Sequence, residues 1–272
     1  MIWRVIGVVV VAGFVLAEAS VRVIRVLIDS PGAARWPLHA GWMVASACVL
    51  VAMLDRRAPV FGHVRWRGSP HRPRVAITFD DGPSAPHTEE VLDILRSAGV
   101  PATFFVLGLN AERHPDVVKR AAREGHEIGN HGFDHAVLPL KGPRFTRDQI
   151  ARTSAIVLRV TGSRPVWFRA SHGWRNPWVN RIACEEGCRV AAWTLGVWDT
   201  SRPGADVIVR RTLAGVRNGC VLLLHDGRGI DPCPDASQLV EALPSILEGL
   251  RARGFELVTL SRLVSDGEGA PV

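Results

Sequence analysis

Segments of strand length alternate with segments of helical periodicity from Arg74 to Thr259. The strand-like segments are apolar and rich in β-branched and aromatic residues, whereas the helix-like segments place apolar residues three and four positions apart. Repeated strand–helix units form parallel strands joined by crossover helices. The alternation therefore predicts an α/β fold, either an open doubly wound sheet or a (β/α) barrel. The predicted strands cover residues 75–79, 102–107, 126–130, 166–169, 189–194, 221–225 and 255–259.

One of the predicted helices, over residues 146–160, opens with Thr146 and has Gln149 three residues later. This spacing is typical of a capping box, in which the side chains of the N-cap residue and of the residue three positions on bond each other's backbone N–H groups. We therefore expect Thr146 and Gln149 to cap the start of their own helix.

Two apolar runs precede the alternating region, at about residues 5–19 and 36–54. The first is shorter than the roughly 20 residues that a transmembrane helix needs and ends in small residues, so it predicts either a signal peptide or a short span. The second can span a membrane, and Trp36 and Trp42 near its start fit anchoring at the membrane interface. We therefore expect residues 1–58 to form a membrane region with one or two hydrophobic helices, which attaches the protein to the membrane with lipid as a partner.

Three further regions follow the apolar runs. Residues 59–71 are rich in Pro, Gly and basic residues and predict a linker, the alternating region predicts a folded domain over residues 72–265, and residues 266–272 remain as a C-terminal tail. Arginines lie on both sides of the second apolar run, so the positive-inside rule does not decide which membrane face carries the folded domain.

The formal net charge of +7 is the feature that would suggest a nucleic-acid partner. A basic surface attracts polyanions such as nucleic acid or anionic lipid. However, the basic residues are scattered and form no dense run with interleaved aromatic residues, so no specific nucleic-acid site is predicted. The five cysteines contain no CxxC pair and predict no disulfide framework. No motif for a protein partner is evident.

Titratable residues follow five of the predicted strands. In such folds the carboxyl ends of the strands carry the chemistry. Two imidazoles at a short spacing and one carboxylate supply three ligands that suit zinc and leave a position for water or substrate. Where two carboxylates are adjacent, one can bind the metal while the other serves as a general base. The residues are Asp80 and Asp81, His131 and His135, Arg169, Asp199, and His225.

Each of these residues alone has an ordinary structural explanation. A pair of histidines four positions apart is common on surfaces, Asp-Gly-Pro is a turn signal, and Arg169 or Asp199 alone would fit an ion pair or a helix cap. A structural role does not explain their joint position on successive strand ends. The sequence therefore favours an active site with a metal.

Five motifs at these strand ends carry a family resemblance. In their order and approximate spacing, the chain from about residue 72 to residue 261 resembles the polysaccharide deacetylases, carbohydrate esterase family 4. The resemblance implies a distorted (β/α) barrel, usually of seven strands. The motifs are TFDDGP at 78–83, NHGFDH at 130–135, FRASHG at 168–173, WTLGVWDT at 193–200 and LLLHD at 222–226.

The resemblance also implies a metal centre with a base beside it. Asp80 would be the general base, and Arg169 would orient it. Asp81, His131 and His135 would hold a divalent metal, with zinc as the first choice and cobalt, manganese or nickel as alternatives.

The remaining implied roles concern the acid and the substrate pocket. His225 would be the general acid that protonates the leaving amine, and Asp199 would hold it. Leu223 matches a wall of the acetyl pocket, the backbone N–H of His172 matches an oxyanion donor, and Trp198 is assigned to the substrate pocket.

Three positions depart from the motifs of the family. Gly132 stands where Ser or Thr usually follows the first histidine, His172 where an aromatic residue is common, and Thr200 where Trp usually follows the aspartate. The predicted base, metal and acid positions are intact.

The predicted function is that of a metal-dependent hydrolase that removes N-linked acetyl groups from the amino sugars of a polysaccharide or glycan. One alternative is a deacylase or deformylase of a lipid-linked amino sugar at the membrane. Another is a non-catalytic carbohydrate-binding protein, against which Asp80 and His225 argue because binding alone needs neither an acid nor a base. The identity of the glycan and the choice between acetyl and formyl groups stay open.

Overall fold

Strands and helices alternate in a computed structural model, which describes residues 35–265. The strands are β1 (Arg74–Asp80), β2 (Thr103–Val106), β3 (Glu127–Asn130), β4 (Trp167–Phe168), β5 (Arg189–Val190), β6 (Leu195–Gly196), β7 (Cys220–His225) and β8 (Glu256–Val258). The helices are α1 (Arg35–Leu54), α2 (His87–Ala98), α3 (Gly108–Arg113), α4 (Pro115–Arg123), α5 (Pro143–Thr161), α6 (Val179–Glu185), α7 (Ala205–Gly215), α8 (Ser237–Ala252) and α9 (Leu260–Ser265).

The strands form one parallel sheet in the order β5-β4-β3-β2-β1-β7-β6. Strand β1 lies at its centre and pairs with β7 along six residues, from Val75 opposite Cys220 to Asp80 opposite His225. The end of β1 pairs with β2, whereas its beginning pairs with β8. Because β7 occupies one side of β1 throughout, β2 and β8 share the other side.

The sheet curls into an incomplete barrel. Strand β5 ends at Val190 and β6 begins at Leu195, although these two strands lie at opposite edges of the strand order. A connection this short reaches at most about 18 Å, so the two edges must lie close together. Arg65 pairs with Ala191 in this opening, before the chain enters β1.

The predicted α/β fold is thus confirmed as an incomplete barrel, and the described residues form eight strands in place of the predicted seven. The segment predicted as one strand over residues 189–194 contributes β5, whereas β6 begins at Leu195, in a stretch for which no strand was predicted. In β5 and in β6, only two residues pair with a neighbouring strand. A segment of two residues is too short to show a periodic pattern.

The faces of β1 and β7 decide which side chains enter the barrel. Outward residues such as Ile77 and Leu222 join the large core between the sheet and the helices. Ala76 and Val221 belong to a second cluster, inside the barrel. Because side chains alternate along a strand, the terminal residues of both strands, Asp80 and His225, face the barrel interior.

Helix α5 begins earlier than the predicted helix. Its first residue is Pro143 and its N-cap is Gly142, which has no side chain that could make a capping bond. Thr146 therefore lies inside the first turn, where its hydroxyl donates to the carbonyl of Gly142. The predicted capping box of Thr146 and Gln149 is wrong, because proline at the first helical position starts the helix three residues sooner.

The predicted membrane helices are not borne out. The segment predicted to span at residues 36–54 does form a helix, α1, but its end contacts the α/β domain: Arg175 donates its backbone N–H to the carbonyl of Met53 at 3.0 Å and a guanidinium N–H to the carbonyl of Ala58, just past the helix, at 2.6 Å. Within the described residues, no helix has both the length and the apolar character needed to cross a membrane. This finding overturns the prediction of membrane attachment. The first apolar run, 5–19, and the predicted tail, 266–272, lie outside the described residues.

Candidate active site

The carboxyl ends of β1 and β7 bring two of the predicted site residues together. Asp80 and His225 are register partners on neighbouring strands, and both are the last residues of their strands. The histidines of the NHGFDH motif follow β3, and Arg169 follows β4. The carboxyl ends of the strands therefore carry every predicted catalytic and metal residue, including Asp199, which begins a short 3-10 turn three residues after β6.

Arg169 holds Asp80 in a fixed orientation. Its Nη1 donates to Asp80 Oδ1 at 2.6 Å and to Thr78 Oγ1 at 2.8 Å, and its Nη2 donates to the carbonyl of Ala192 at 3.1 Å. The guanidinium is fully buried and lies over the ring of Phe105. Because Arg169 binds Oδ1, the second oxygen of Asp80 is left facing the histidine pair, 3.7 Å from His131 Nε2.

Asp81, His131 and His135 form a cluster with the geometry of a metal site. One donor atom from each lies within 4.8 Å of the other two. Asp81 Oδ1 is 3.4 Å from His131 Nε2 and 3.2 Å from His135 Nε2. Asp81 has a φ of 77°, a left-handed backbone that turns its carboxylate away from the direction Asp80 takes. Adjacent carboxylates can thus serve two different partners.

The surroundings of the cluster determine the tautomer of His131 and shift the pKa values of Asp81 and His135. The Nδ1 of His131 is 2.8 Å from the carbonyl of Arg169, which requires an N–H on Nδ1 and leaves Nε2 toward Asp81. Burial would raise the pKa of Asp81, but the charges of His135 and His131 outweigh it and hold that pKa well below its usual range. Burial lowers the pKa of His135.

A divalent metal fits this donor set. Asp81 Oδ1 is buried and accepts no hydrogen bond from the residues that the structure describes. A buried carboxylate oxygen without such a bond is costly unless a cation faces it. Two imidazoles and one carboxylate form a donor set typical of zinc and related metals.

His225 is paired with Asp199 as the sequence predicted. Its Nδ1 lies 3.0 Å from Asp199 Oδ1, and its backbone N–H donates to Asp199 Oδ2 at 2.7 Å. Burial alone would lower the pKa of His225, but the charge of Asp199 and its hydrogen bond outweigh burial, and Asp81 and Asp80 add to them, so the pKa rises to about 10.

The predicted pocket residues occupy different positions around this centre. Leu223 is buried two residues before His225, on the same face of β7. His172 is exposed, and its ring centroid lies 4.5 Å from that of His135 and 5.0 Å from that of Trp174. Trp198 is 60% exposed and directly precedes Asp199 in the chain. The contact of Trp174 was not predicted from the sequence.

Sequence reasoning gave no role to Asp226 or to Asn110. Asp226 is buried directly after His225, where it accepts a hydrogen bond from Thr88 Oγ1 at 2.7 Å, and burial raises its pKa to about 7. Asn110 donates to the carbonyl of Asp81 at 2.8 Å. The LLLHD motif contained Asp226, but nothing in the sequence distinguishes Asn110 from an ordinary helix residue.

Comparison with known proteins gives consistent matches. The family described as polysaccharide deacetylase matches residues 67–191. A Bacillus cereus protein named peptidoglycan-N-acetylglucosamine deacetylase is 35% identical over 217 residues, which cover 78% of this chain and 98% of the relative. A Sinorhizobium fredii protein named chitooligosaccharide deacetylase is 38% identical over 194 residues, which cover 69% of this chain and 90% of the relative.

A solved structure shares the fold. It is a crystal structure of a peptidoglycan N-acetylglucosamine deacetylase in complex with 4-naphthalen-1-yl-N-oxidanyl-benzamide, with a TM-score of 0.70 and 34% identity over 74% of this chain and 92% of that one. Because a relative at 35% identity aligns along nearly its whole length and a solved deacetylase has the same fold, the chain belongs to the polysaccharide deacetylase family of hydrolases.

Proposed function

We propose that this protein is a metal-dependent deacetylase that removes the N-acetyl group from amino sugars of a glycan of the peptidoglycan or chitooligosaccharide type. The names of its relatives support this substrate class. The single observation that carries the proposal is that two pairs, Asp80 with Arg169 and His225 with Asp199, lie at the same strand ends as the three-residue metal cluster. A binding protein would need neither pair.

Asp80 acts as the general base in this proposal. Arg169 binds one of its oxygens at 2.6 Å, so only the other oxygen is directed toward the cluster. That oxygen takes a proton from the attacking water. Because the Arg169 guanidinium is itself held by Thr78 and Ala192, the base enters the reaction already oriented.

His225 acts as the general acid. Its Nδ1 faces Asp199, which leaves Nε2 to donate a proton to the departing nitrogen. The raised pKa, about 10, keeps the imidazole protonated at neutral pH before the reaction begins. The products are a free amine on the sugar and acetate.

Asp81, His131 and His135 would hold the metal, and zinc is the ion that this donor set fits first. When bound, the metal supplies a Lewis acid for the acetamide carbonyl and for the attacking water. Leu223 forms a wall of the acetyl pocket, and the backbone N–H of His172 stabilises the oxyanion. Support for the last two roles is their position beside His225 and His135, respectively.

Acetate release from defined oligosaccharides tests the proposal. We expect N-acetylglucosamine oligomers, with or without alternating muramic acid, to yield acetate and free amine in equal amounts. Asp80→Asn and His225→Ala should each lower kcat/KM by about 10² to 10⁴. His71→Ala removes an exposed histidine away from the site and should retain the wild-type rate. Wild-type rates in both site variants would refute the assignment.

A further inference from the structure

In the loop that carries the two metal-cluster histidines, the backbone N–H groups do not find their hydrogen-bond acceptors within the loop itself. After β3 the chain leaves the sheet, and Gly132 and His135 adopt left-handed φ angles of 83° and 61°. For a residue with a side chain, such as His135, this conformation is sparsely populated and persists only where the surroundings impose it. The N–H groups of such a loop need acceptors from elsewhere.

Two buried side-chain amides supply those acceptors. Asn130 Oδ1 accepts the N–H of Gly132 at 2.8 Å. Gln149 Oε1 accepts the N–H of Phe133 at 2.8 Å and that of Asp134 at 3.2 Å. All three residues between the histidines are therefore held through their backbone N–H groups, and Gln149 holds two of them.

Gln149 is built into the domain rather than adapted to the surface. It is 2% exposed and projects from α5, a helix of 19 residues packed against β3 and α4. A carbonyl oxygen has two lone pairs, and the two loop N–H groups use both. An atom added at Cβ of Gly132 would lie 3.4 Å from Gln149 Oε1, so the loop and the amide are in close contact.

We propose that Gln149 is a positioning residue for the metal-binding loop, which holds His131 and His135 in the orientation that directs Nε2 of each toward Asp81. The side-chain oxygen accepts the backbone N–H groups of Phe133 and Asp134, so Gln149 acts through the loop backbone. The proposal rests on the metal-dependent function proposed above, in that it assigns to Gln149 a contribution to metal affinity. Partners that orient metal ligands typically contribute a factor of 10 to 100 in affinity or activity.

Titration of the metal-free protein with Zn²⁺ tests the proposal, with binding measured by calorimetry. Gln149→Met keeps the length of the side chain but removes the acceptor, and it should weaken Zn²⁺ binding 10- to 100-fold. Gln149→Glu keeps an oxygen that can accept both N–H groups and should restore binding to at least the wild-type level. If Gln149→Met does not fold, Gln149→Asn, whose amide is too short to reach both groups, takes its place with the same expectation.

A matched control lies one turn further along the same helix. Thr153 is fully buried, and its hydroxyl has no hydrogen-bond partner among the described residues. Thr153→Val should therefore leave Zn²⁺ affinity at the wild-type value. Thermal unfolding of each metal-free variant separates loss of fold stability from loss of affinity.

The outcomes separate this inference from the proposed function. Wild-type Zn²⁺ affinity in folded Gln149→Met, or in Gln149→Asn, would overturn the positioning role, whatever the unfolding temperature. An equal loss of affinity in Gln149→Glu would overturn it as well, since the acceptor is then not what matters. By contrast, wild-type protein that binds Zn²⁺ and releases no acetate would refute the proposed function and leave the result for Gln149 intact.

Discussion

Asp80 and Asp81 are adjacent in the chain and both buried, yet their partners differ. Asp80 faces Arg169, and Asp81 faces the two histidines. The left-handed backbone of Asp81 gives its carboxylate a different main partner from that of Asp80, although Asp80 Oδ2 also lies 3.7 Å from His131 Nε2. Burying two adjacent carboxylates is tolerated here because Arg169 and the two histidines lie against them.

The pH dependence of activity tests the role of Asp199. His225 must be protonated to donate, so the rate falls as pH rises through its pKa. Asp199 contributes the largest of the effects that raise this pKa to about 10, and replacing it by Asn leaves burial to lower the pKa. We expect the alkaline limb of the kcat/KM profile of Asp199→Asn to lie at least about one pH unit lower than in the wild type.

The control for this prediction is Asp206→Asn, which removes an exposed carboxylate in the first turn of α7. Its alkaline limb should coincide with that of the wild type. An unchanged limb in Asp199→Asn would mean that His225 is not the acid whose titration limits the rate.

At the scale of elements, the turn after β1 packs tightly against the turn after β7. A Cβ atom on Gly82 would lie 2.1 Å from Asp226 Oδ2, and one on Gly227 would lie 2.7 Å from the carbonyl of Asp81. Ser84 Oγ also donates to the carbonyl of Asp226. The glycine of the TFDDGP motif is thus required by the close approach of a second strand end. This contact fixes the relative positions of the two turns that follow Asp80 and His225.

Gly82→Ala tests this contact. The added methyl group would overlap the Asp226 carboxylate, and such overpacking typically costs about 1 to 3 kcal/mol. We expect urea unfolding to show a loss in this range, together with reduced activity. Gly41→Ala is the control, because Gly41 is exposed within α1 and no atom lies within 4 Å of its added Cβ, so it should not lower the free energy of unfolding.

A double variant makes the prediction specific. Because Asp226→Ala removes the overlapping carboxylate, Gly82→Ala should cost less free energy in that background than in the wild type. Equal costs in both backgrounds would show that Asp226 is not the group that excludes a side chain at position 82.

Sequence patterns predicted the long elements better than the short ones. The periodic segments at residues 88–98, 115–124, 205–216 and 238–253 predict helices, and the structure has them as α2, α4, α7 and α8 with bounds that differ by one residue at most. The two-residue strand β6 and the six-residue helices α3 and α9 were missed, since so short a segment shows no periodicity. Gln149 was predicted to cap its own helix, and only the tertiary structure shows that it bonds a loop instead.

At the scale of the whole molecule, the curl of the sheet assembles the site. Asp80 and Asp199 are far apart in sequence, but the order of β1, β7 and β6 places the segments after their ends side by side. The spacing of the motifs could predict which strands end in catalytic or metal-binding residues. The close contact between Gly82 and Asp226 could not be predicted in this way, because it depends on the register of β1 and β7. The apolar run at 36–54 predicted a membrane span because composition alone does not reveal that the end of the helix packs on the domain.

Metal removal should lower the stability of the whole molecule. The proposed ligands come from the ends of two strands and meet only in the folded protein, so a metal that they bind stabilises the folded state. A ligand that binds only the folded state stabilises it by about 4 kcal/mol when present at 1,000 times its Kd. For a domain of this size we expect saturating Zn²⁺ to raise Tm by roughly 10 °C over the chelated protein, and chelation to abolish activity. His135→Ala removes one ligand and should lose most of this rise, while Thr153→Val should keep it. An identical Tm with and without Zn²⁺ in the wild type would mean that the buried Asp81 carboxylate is stabilised by its histidines alone and that the cluster holds no metal.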